Sequence, residues 1–551
     1  MNKYIAIITV LIISALSYSC IDQLDEVTQR GALDTDAYYA NATDDQALSL
    51  ITSIYALAWT MTTDQSSGMT DDLISYGVGV YGGASTSTAN MTGGFQTYYQ
   101  MNYRSNLIIE KMPENSNVKE QVVGEAYFWR AWAYMNLIRG WGTPPLVDHV
   151  LGTDELYPAN GTPAELWNYV FTSLEEAISR LPSKTSAGGQ LAIGPRITRE
   201  AAYAVLGKSY LLSGDMANAR TALGEVISSN LYGLIDNFED LYTVSADWCK
   251  EYIWEWNAQD NDDDNRATEA RISFQNVVWR AENVTMPGGV HLSGFNQGFS
   301  NSFPSEDFYN FLIARGEEGL PRQMGTVWTV EQAAQMFVTL SDPALEGSLN
   351  YEGDNLKIYT DLGYTPVEAG YRLLWINYAQ PQLTTCQGYL HTKRYIWHSD
   401  MYTASSDKDL YSKANYPGMR YAEVLLLYAE ACLGSSSEAA GLAALNEVRV
   451  RAGLTGLGSY TLQDVKDEKR AELWNEGERF WDVVRWGDAA TEFANVGHYS
   501  YTLLGSDDYT ESVLAEPFDG WTGWQDKYSL IPFPYTEMQL NTNLVQNPGW
   551  D

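Results

Sequence analysis

Apolar residues recur at helical spacing over much of this chain, and the breaks fall at Gly, Pro and capping residues. Asp44–Trp59 (DDQALSLITSIYALAW) opens on acidic residues after Thr43, as an N-capped helix should. Phe95–Met112 predicts a second helix, ending before Pro113. Lys119–Trp141 predicts a third, stopped by Gly142 and Pro144. The aromatic residues of the third fall on more than one face, which predicts packing on both sides. In Ala201–Ile227, Leu206-Gly207 is followed by Tyr210, then Gly214-Asp215 and Ala219. That spacing is the tetratricopeptide helix-turn-helix, with small residues where two helices touch and Gly at the turn. One such unit cannot bury its own apolar face. Its partners are read in Glu165–Leu181 just before it, and in Arg420–Leu433 with Glu438–Ala452 far downstream. Val465–Trp486 predicts one more long helix.

From Asp236 to Tyr416 the periodicity fades. Gly, Pro, Asn and aromatic residues mix there, with short strand-like pieces such as Tyr371–Tyr378. A loop-rich insert of this size is seldom structureless and tends to be functional. The expected fold is therefore mostly α: a discontinuous tetratricopeptide-like helical repeat scaffold carrying an irregular, aromatic-rich lobe. The boundaries read as a leader over 1–19, an acidic tether over 20–35 and an N-terminal helical part over 36–235. The lobe follows over 236–416, then C-terminal helices over 417–490 and a loop region over 491–551.

The leader MNKYIAIITVLIISALSYS has Lys3 and then an apolar run from Tyr4 to Leu16. That run is shorter than the roughly 20 residues of a membrane-spanning helix and suits a secretory signal. Cys20 follows directly, where bacterial lipoproteins carry the cysteine that receives the lipid. Ser17 and Tyr18 depart from the usual aliphatic-then-small pattern, so an ordinary cleaved signal with an incidental cysteine stays open on this segment alone.

Composition narrows the function. With 34 basic and 70 acidic residues, the net charge of −36 repels nucleic acid and anionic surfaces. It leans toward neutral or cationic ligands. Apart from Cys20, the cysteines are Cys249, Cys386 and Cys432, scattered and without C-x-x-C spacing, which argues against a disulfide framework or zinc site. The 18 Trp and 38 Tyr require an ordered interior or a use at the surface.

Glu472 and Glu476, four apart, offer the two carboxylates of a glycosidase. They project from one predicted helix rather than flanking a cleft, and Arg470, Arg479 and Arg485 crowd the same segment. Spacing pairs Glu476 with Arg479 and Asp482 with Arg485, which favours a structural network. No H-E-x-x-H, G-x-S-x-G or P-loop occurs. Neither catalysis nor a cofactor is expected. DNDDDN (Asp260–Asn265) offers oxygens for at most a lone structural calcium ion, but lacks the glycine and distal glutamate of an EF-hand and reads as a solvated turn. A sugar site needs flat aromatic faces and planar polar groups on loops. Thr70–Gly83 supplies Asp71, Asp72, Tyr76 and Tyr81, and Asn276–Phe299 supplies Trp279, Arg280, Asn296 and Phe299. Core packing is the competing reading for each aromatic, and Trp129, Trp132 and Trp481, inside helices, are assigned to it.

Four stretches resemble the SusD/RagB family of outer-membrane nutrient-binding lipoproteins of the Bacteroidota. They are GEAYFWRAWAYMNLIRGWGTPPL (Gly124–Leu146), the repeat at Ala201–Ile227, the block Arg420–Asp488 with AELWNEGERFWDVVRWGD, and LIPFPYTEMQLNTNLVQNPGW (Leu530–Trp550). The resemblance implies four tetratricopeptide-like units and a less regular second lobe. It implies a protein lipid-anchored at Cys20 on the outer membrane and facing the cell exterior. Such a protein binds rather than catalyses, capturing oligosaccharides, or in some members peptides, for a SusC-like TonB-dependent transporter. It also places ligand contacts in loops of the two regions just named.

Overall fold

The computed structural model describes residues 35–61, 70–75, 89–184, 196–257, 302–329, 332, 389–391, 393, 414–494, 500–504, 511–515 and 524–550. Its N-terminal half begins with α1 (Thr35–Ala40) and α2 (Asp44–Trp59), then β1 (Leu73–Ser75), α3 (Ala89–Lys111) and α4 (Asn117–Trp141). These lead to α5 (Pro163–Arg180), α6 (Arg199–Ser213) and α7 (Met216–Ser228). Five of these seven helices start on a side-chain cap. Thr43 and Thr162 close capping boxes with Gln46 and Glu165, and Ser116, Thr198 and Asp215 each accept an N–H of the first turn. At the α6–α7 turn Gly214 has φ +90°, the left-handed region only glycine enters cheaply.

The helical units pack in sequence. α3 lies on α4, α4 on α5, α5 on α6, and α6 on α7. Then α7 packs not on the next segment but on α10 (Tyr421–Cys432), which pairs with α11 (Glu438–Arg451). The scaffold is discontinuous, as its pattern predicts. Gly207 shows why a small residue sits between α6 and α7: a Cβ there would lie 2.5 Å from Leu223 Cγ.

Between α7 and α10, β2 (Tyr252–Trp256) precedes β3 (Ser302–Pro304), α8 (Glu306–Ala314), α9 (Pro321–Met324), β4 (Val327–Thr329), β5 (Tyr389–His391) and β6 (Tyr416–Arg420). Strands pair antiparallel as β1–β3, β2–β6 and β4–β5. The β2–β6 pair closes the insert where the chain rejoins the helices. Arg420, placed in a helix by the sequence pattern, ends β6 instead, and α10 starts one residue later. α8 was not visible as a helix in the fading periodicity, although Ser305, whose side chain accepts from Phe308 N, precedes Glu306 and Asp307 as an N-cap should. The strand-like Tyr371–Tyr378 lies outside the described residues.

The aromatic excess fills the seam between α4 and β2. Trp129 is fully buried, 5.5 Å from Trp256 in a stacked arrangement and 5.7 Å from Trp254 edge-on, with Tyr55 and Phe128 around it. Trp132 packs edge-on to Trp129 at the same seam. Nearly every face of α4 is buried, including Val122, Ala126, Trp129, Ala133 and Leu137.

One predicted element divides. Val465–Trp486 is two helices, α12 (Leu462–Glu472) and α13 (Arg479–Trp486), separated by a turn in which Asn475 has φ +60° and Gly477 φ +86°. Two left-handed residues within three cannot continue a helix. Trp481, on α13, packs beside the Phe480–Phe493 cluster and lies under the Arg139 guanidinium. The chain ends with α14 (Ala489–Glu492), the hairpin β7 (Ser500–Leu504) and β8 (Glu511–Ala515), and α15 (Tyr535–Leu540). Among the described residues no helix is long and apolar enough to cross a membrane, and Cys249 and Cys432 are free thiols.

Candidate ligand site and its ionic anchor

The Asp71–Asp72 step lies at the entry to β1, where α12, α13 and α8 converge. Arg479 grips Asp71 through Nε (3.1 Å) and Nη2 (2.7 Å), and Arg470 Nη2 reaches Asp72 Oδ1 at 2.5 Å. Cross contacts tie the two pairs together, with Arg470 3.3 Å from Asp71 and Arg479 3.5 Å from Asp72. Burial pushes both carboxyls up. At Asp71 the Arg479 charge overcomes it and the group ends below its ordinary value, whereas Asp72, deeper and beside Asp71, ends above it. The backbone is fixed as well. Asp72 O accepts from Trp474 Nε1 (3.2 Å) and Ser305 N (3.0 Å), and Asp71 O accepts from the Ser305 hydroxyl (2.9 Å). Phe308 stacks on Trp474, and Arg470 lies over Phe311. A small cleft beside this cluster is lined by Thr70, Asp72, Leu73, Trp474, Asn475, Gly477 and Arg479.

Asp71 and Asp72 were expected to offer oxygens to a ligand. The structure gives them arginine partners, so they anchor the segment that follows them. From that anchor β1 runs into a two-stranded ribbon with β3, in the register Leu73 opposite Pro304 and Ser75 opposite Ser302. Tyr76, Tyr81, Trp279, Arg280, Asn296 and Phe299 lie outside the described residues, as do Cys20, Cys386 and Asp260–Asn265. Yet the register joins their segments: Tyr76 is bonded to Ser75, and Phe299 precedes Ser302 by three residues.

Behind the anchor lies a buried charge network. Arg420 donates to Glu251 (2.5 Å), to Glu472 (3.0 Å) and to both oxygens of Glu476 (2.6 and 2.9 Å). Arg451 bonds Glu251 and Glu472, and Arg322 bonds Glu317, Glu468 and Glu472. Lys393 reaches Glu472 O (2.8 Å), Trp474 O (3.0 Å) and Glu476 (2.5 Å). Burial works against the ionised forms of Glu472 and Glu476, but Arg451, Arg420 and Arg322 outweigh it at Glu472, and Arg420 and Lys393 at Glu476. Both carboxyls are held at about 2. A general acid needs the opposite shift, so this carboxylate pair holds structure together. The expected Glu476–Arg479 pair is replaced: the turn carries Glu476 inward to Arg420 and Lys393, while Arg479 binds Asp71, Asp72 and Glu492. Asp482 does pair with Arg485, at 2.8 Å. Sequence spacing missed the partners because Glu251, Arg322, Lys393 and Arg420 are tens to hundreds of residues away.

Comparison with known proteins decides the family. The SusD family pattern matches residues 250–550, more than half of the chain, and a second pattern, described as starch-binding associating with outer membrane, matches residues 17–211. The chain belongs to the SusD family. SusD-like protein P38 of Formosa agariphila is 26% identical over 405 residues, covering 70% of this chain and 71% of that one. A SusD-like protein of Bacteroides ovatus is 23% identical over 525 residues, covering 88% and 82%. Among solved structures, a laminarin binding SusD-like protein superposes with TM-score 0.65 at 22% identity, over 92% of this chain and 99% of that one. Surface glycan-binding protein A of Bacteroides thetaiotaomicron in complex with laminarihexaose does so with TM-score 0.62 at 20% identity, over 92% and 100%. SusD family membership thus accords with the mostly helical, tetratricopeptide-like fold described above.

Proposed function

We propose that this SusD family chain is a glycan-binding lipoprotein of the outer membrane, anchored by Cys20 and facing the cell exterior. It captures an oligosaccharide without covalent chemistry and delivers it to a SusC-like TonB-dependent transporter. The observation that carries the site is the β1–β3 register. It tethers the start of the Tyr76–Gly83 segment to the end of the Asn276–Phe299 segment, since one to three residues span at most about 11 Å. Two loops rich in aromatic and amide groups then leave a single point of the fold, and Asp71 and Asp72 with Arg470 and Arg479 hold that point still. Tyr76, Tyr81, Trp279 and Phe299 supply flat faces for the apolar side of a sugar ring, and Arg280 and Asn296 supply hydrogen bonds to its hydroxyls. The net charge of −36 favours a neutral glycan. Laminarin and laminarihexaose, named for two structural neighbours, set the first glycans to test.

Calorimetry of the lipid-free chain against neutral and acidic oligosaccharides tests the reading. Binding to a neutral glycan is expected, and Tyr81→Ala or Trp279→Ala should weaken it about tenfold. Silence across the panel defeats the proposal. Binding to peptides alone would make the chain a peptide or glycopeptide receptor, and new reducing ends would make it an enzyme. Cys20→Ala should move the protein from the membrane fraction to the soluble one. Co-purification with the transporter tests delivery.

A further inference from the structure

Ten large hydrophobic side chains among the described residues are exposed, and five of them sit on two segments that hydrogen bonds join: Leu156 (51%), Tyr157 (53%), Tyr535 (53%), Leu540 (66%) and Val545 (69%). They come from opposite ends of the chain. The loop after α4 and the tail around α15 are stitched by asparagine amides. Asn541 Nδ2 donates to Pro158 O and Asn543 Nδ2 to Tyr157 O, both at 2.7 Å. Asn160 and Val545 exchange two bonds, at 2.7 and 3.1 Å. Beneath them Asn547 bonds Trp141 O and Ile531 O, and Trp141 Nε1 bonds Pro532 O. The C-terminal motif LIPFPYTEMQLNTNLVQNPGW is thus fastened to the loop after α4, and none of its residues belongs to the β1–β3 ribbon. Its apolar groups are already ordered, so a partner would meet little ordering cost.

Along these segments the charge is mostly acidic, with Lys527 over Trp550 and His149 as the nearby basic groups. From Gly140 to Ser179 and from Tyr528 to Asp551 the chain has no Lys or Arg, against six and two acidic side chains respectively. Two of the six, Asp148 and Glu155, clasp His149 at 2.7 and 3.1 Å, and Glu155 also accepts from Gly152 N, so the acidic loop keeps one shape. We propose that Leu156, Tyr157, Tyr535, Leu540 and Val545 form a docking surface for a protein partner whose apolar side chains are flanked by Lys or Arg. An apolar centre with a charged rim is the anatomy of a protein interface. The acidic surroundings repel a second copy of this chain and an anionic membrane, and attract a basic partner. The proposed surface uses none of the residues proposed to contact the glycan, and its test does not depend on what they bind.

A synthetic amphipathic peptide of leucine and lysine serves as the probe, with a leucine–glutamate peptide of the same pattern as control. Binding is read by fluorescence anisotropy on the full chain. The triple variant Leu156→Ser, Leu540→Ser, Val545→Ser leaves every charge in place, and exposed positions tolerate substitution with little loss of stability. The expected result is binding of the leucine–lysine peptide, weakened at least tenfold in the triple variant at unchanged melting temperature. Equal affinity of variant and wild type would show that the charge field alone attracts the peptide, and would overturn the proposal. So would equal binding of the leucine–glutamate peptide, no binding at all, or a concentration-dependent dimer that the triple variant abolishes.

Discussion

Two parts of this molecule solve the problem of burial in opposite ways. Across α3 to α7 the interior is mainly apolar and aromatic: Trp129, Val170, Leu174, Leu206 and Leu223 are buried, with a few scattered charges such as Glu125, Arg130 and Lys208 among them. Around α12 and the turn to α13 the interior is ionic, with Glu468, Glu472, Arg322 and Arg420 almost wholly buried. Dispersion and water exclusion favour the first arrangement over a broad range of geometries. The second is favourable only if each charge finds its partners, because an unpaired buried charge is costly. The helical scaffold therefore tolerates drift, whereas the ionic region fixes one arrangement of the segments that meet there. Those segments include Asp71–Asp72 and β1, so the less forgiving kind of core holds the β1–β3 ribbon in place.

Breaking the ionic core should give the largest effect. Arg420→Ala removes the shared partner of Glu251, Glu472 and Glu476, leaving them only Arg451, Arg322 and Lys393, and is expected to lower unfolding stability by about 3–5 kcal/mol, read as a shift of the denaturation midpoint. Its acid response sharpens the contrast. Glu472 and Glu476 titrate at about 2 in the folded chain, below their ordinary 4.5. Their contribution is complete above about pH 4.5 and is lost as pH falls toward about 2. Wild type should lose stability over that window more steeply than Arg420→Ala; parallel pH profiles would refute the assignment. In the apolar region, Gly207→Val forces a side chain against Leu223 and should cost about 1–3 kcal/mol by overpacking, with the same acid slope as wild type. The smallest effect is expected at a helix start: Thr162→Ala removes the capping box of α5, worth about 1 kcal/mol, and should lower the melting temperature slightly without touching ligand affinity.

Several elements were legible in the sequence because their signals are local. Thr43 and Ser116 cap α2 and α4, and Gly207 and Gly214 mark the contact and turn of α6 and α7. α12 shows the limit. Its sequence LQDVKDEKRAE looks like a solvated helix with pairs at short spacing, yet Glu468, Lys469 and Glu472 are buried. A charged residue reads the same on the page whether it faces water or a distant arginine. The two ligand segments could be singled out by residue type alone; that they leave one ribbon could not. Sequence by itself determined most of the scaffold helices, their order, the gap in the repeat and the family resemblance, because period, caps and small contact residues are properties of neighbours along the chain. Only the tertiary structure decided that Asp71 and Asp72 pair with Arg479 and Arg470, that Glu476 turns inward, and that the segments of Tyr157 and Val545 are bonded together. Each of those depends on groups tens to hundreds of residues apart meeting within about 3 Å, and no local pattern encodes that distance.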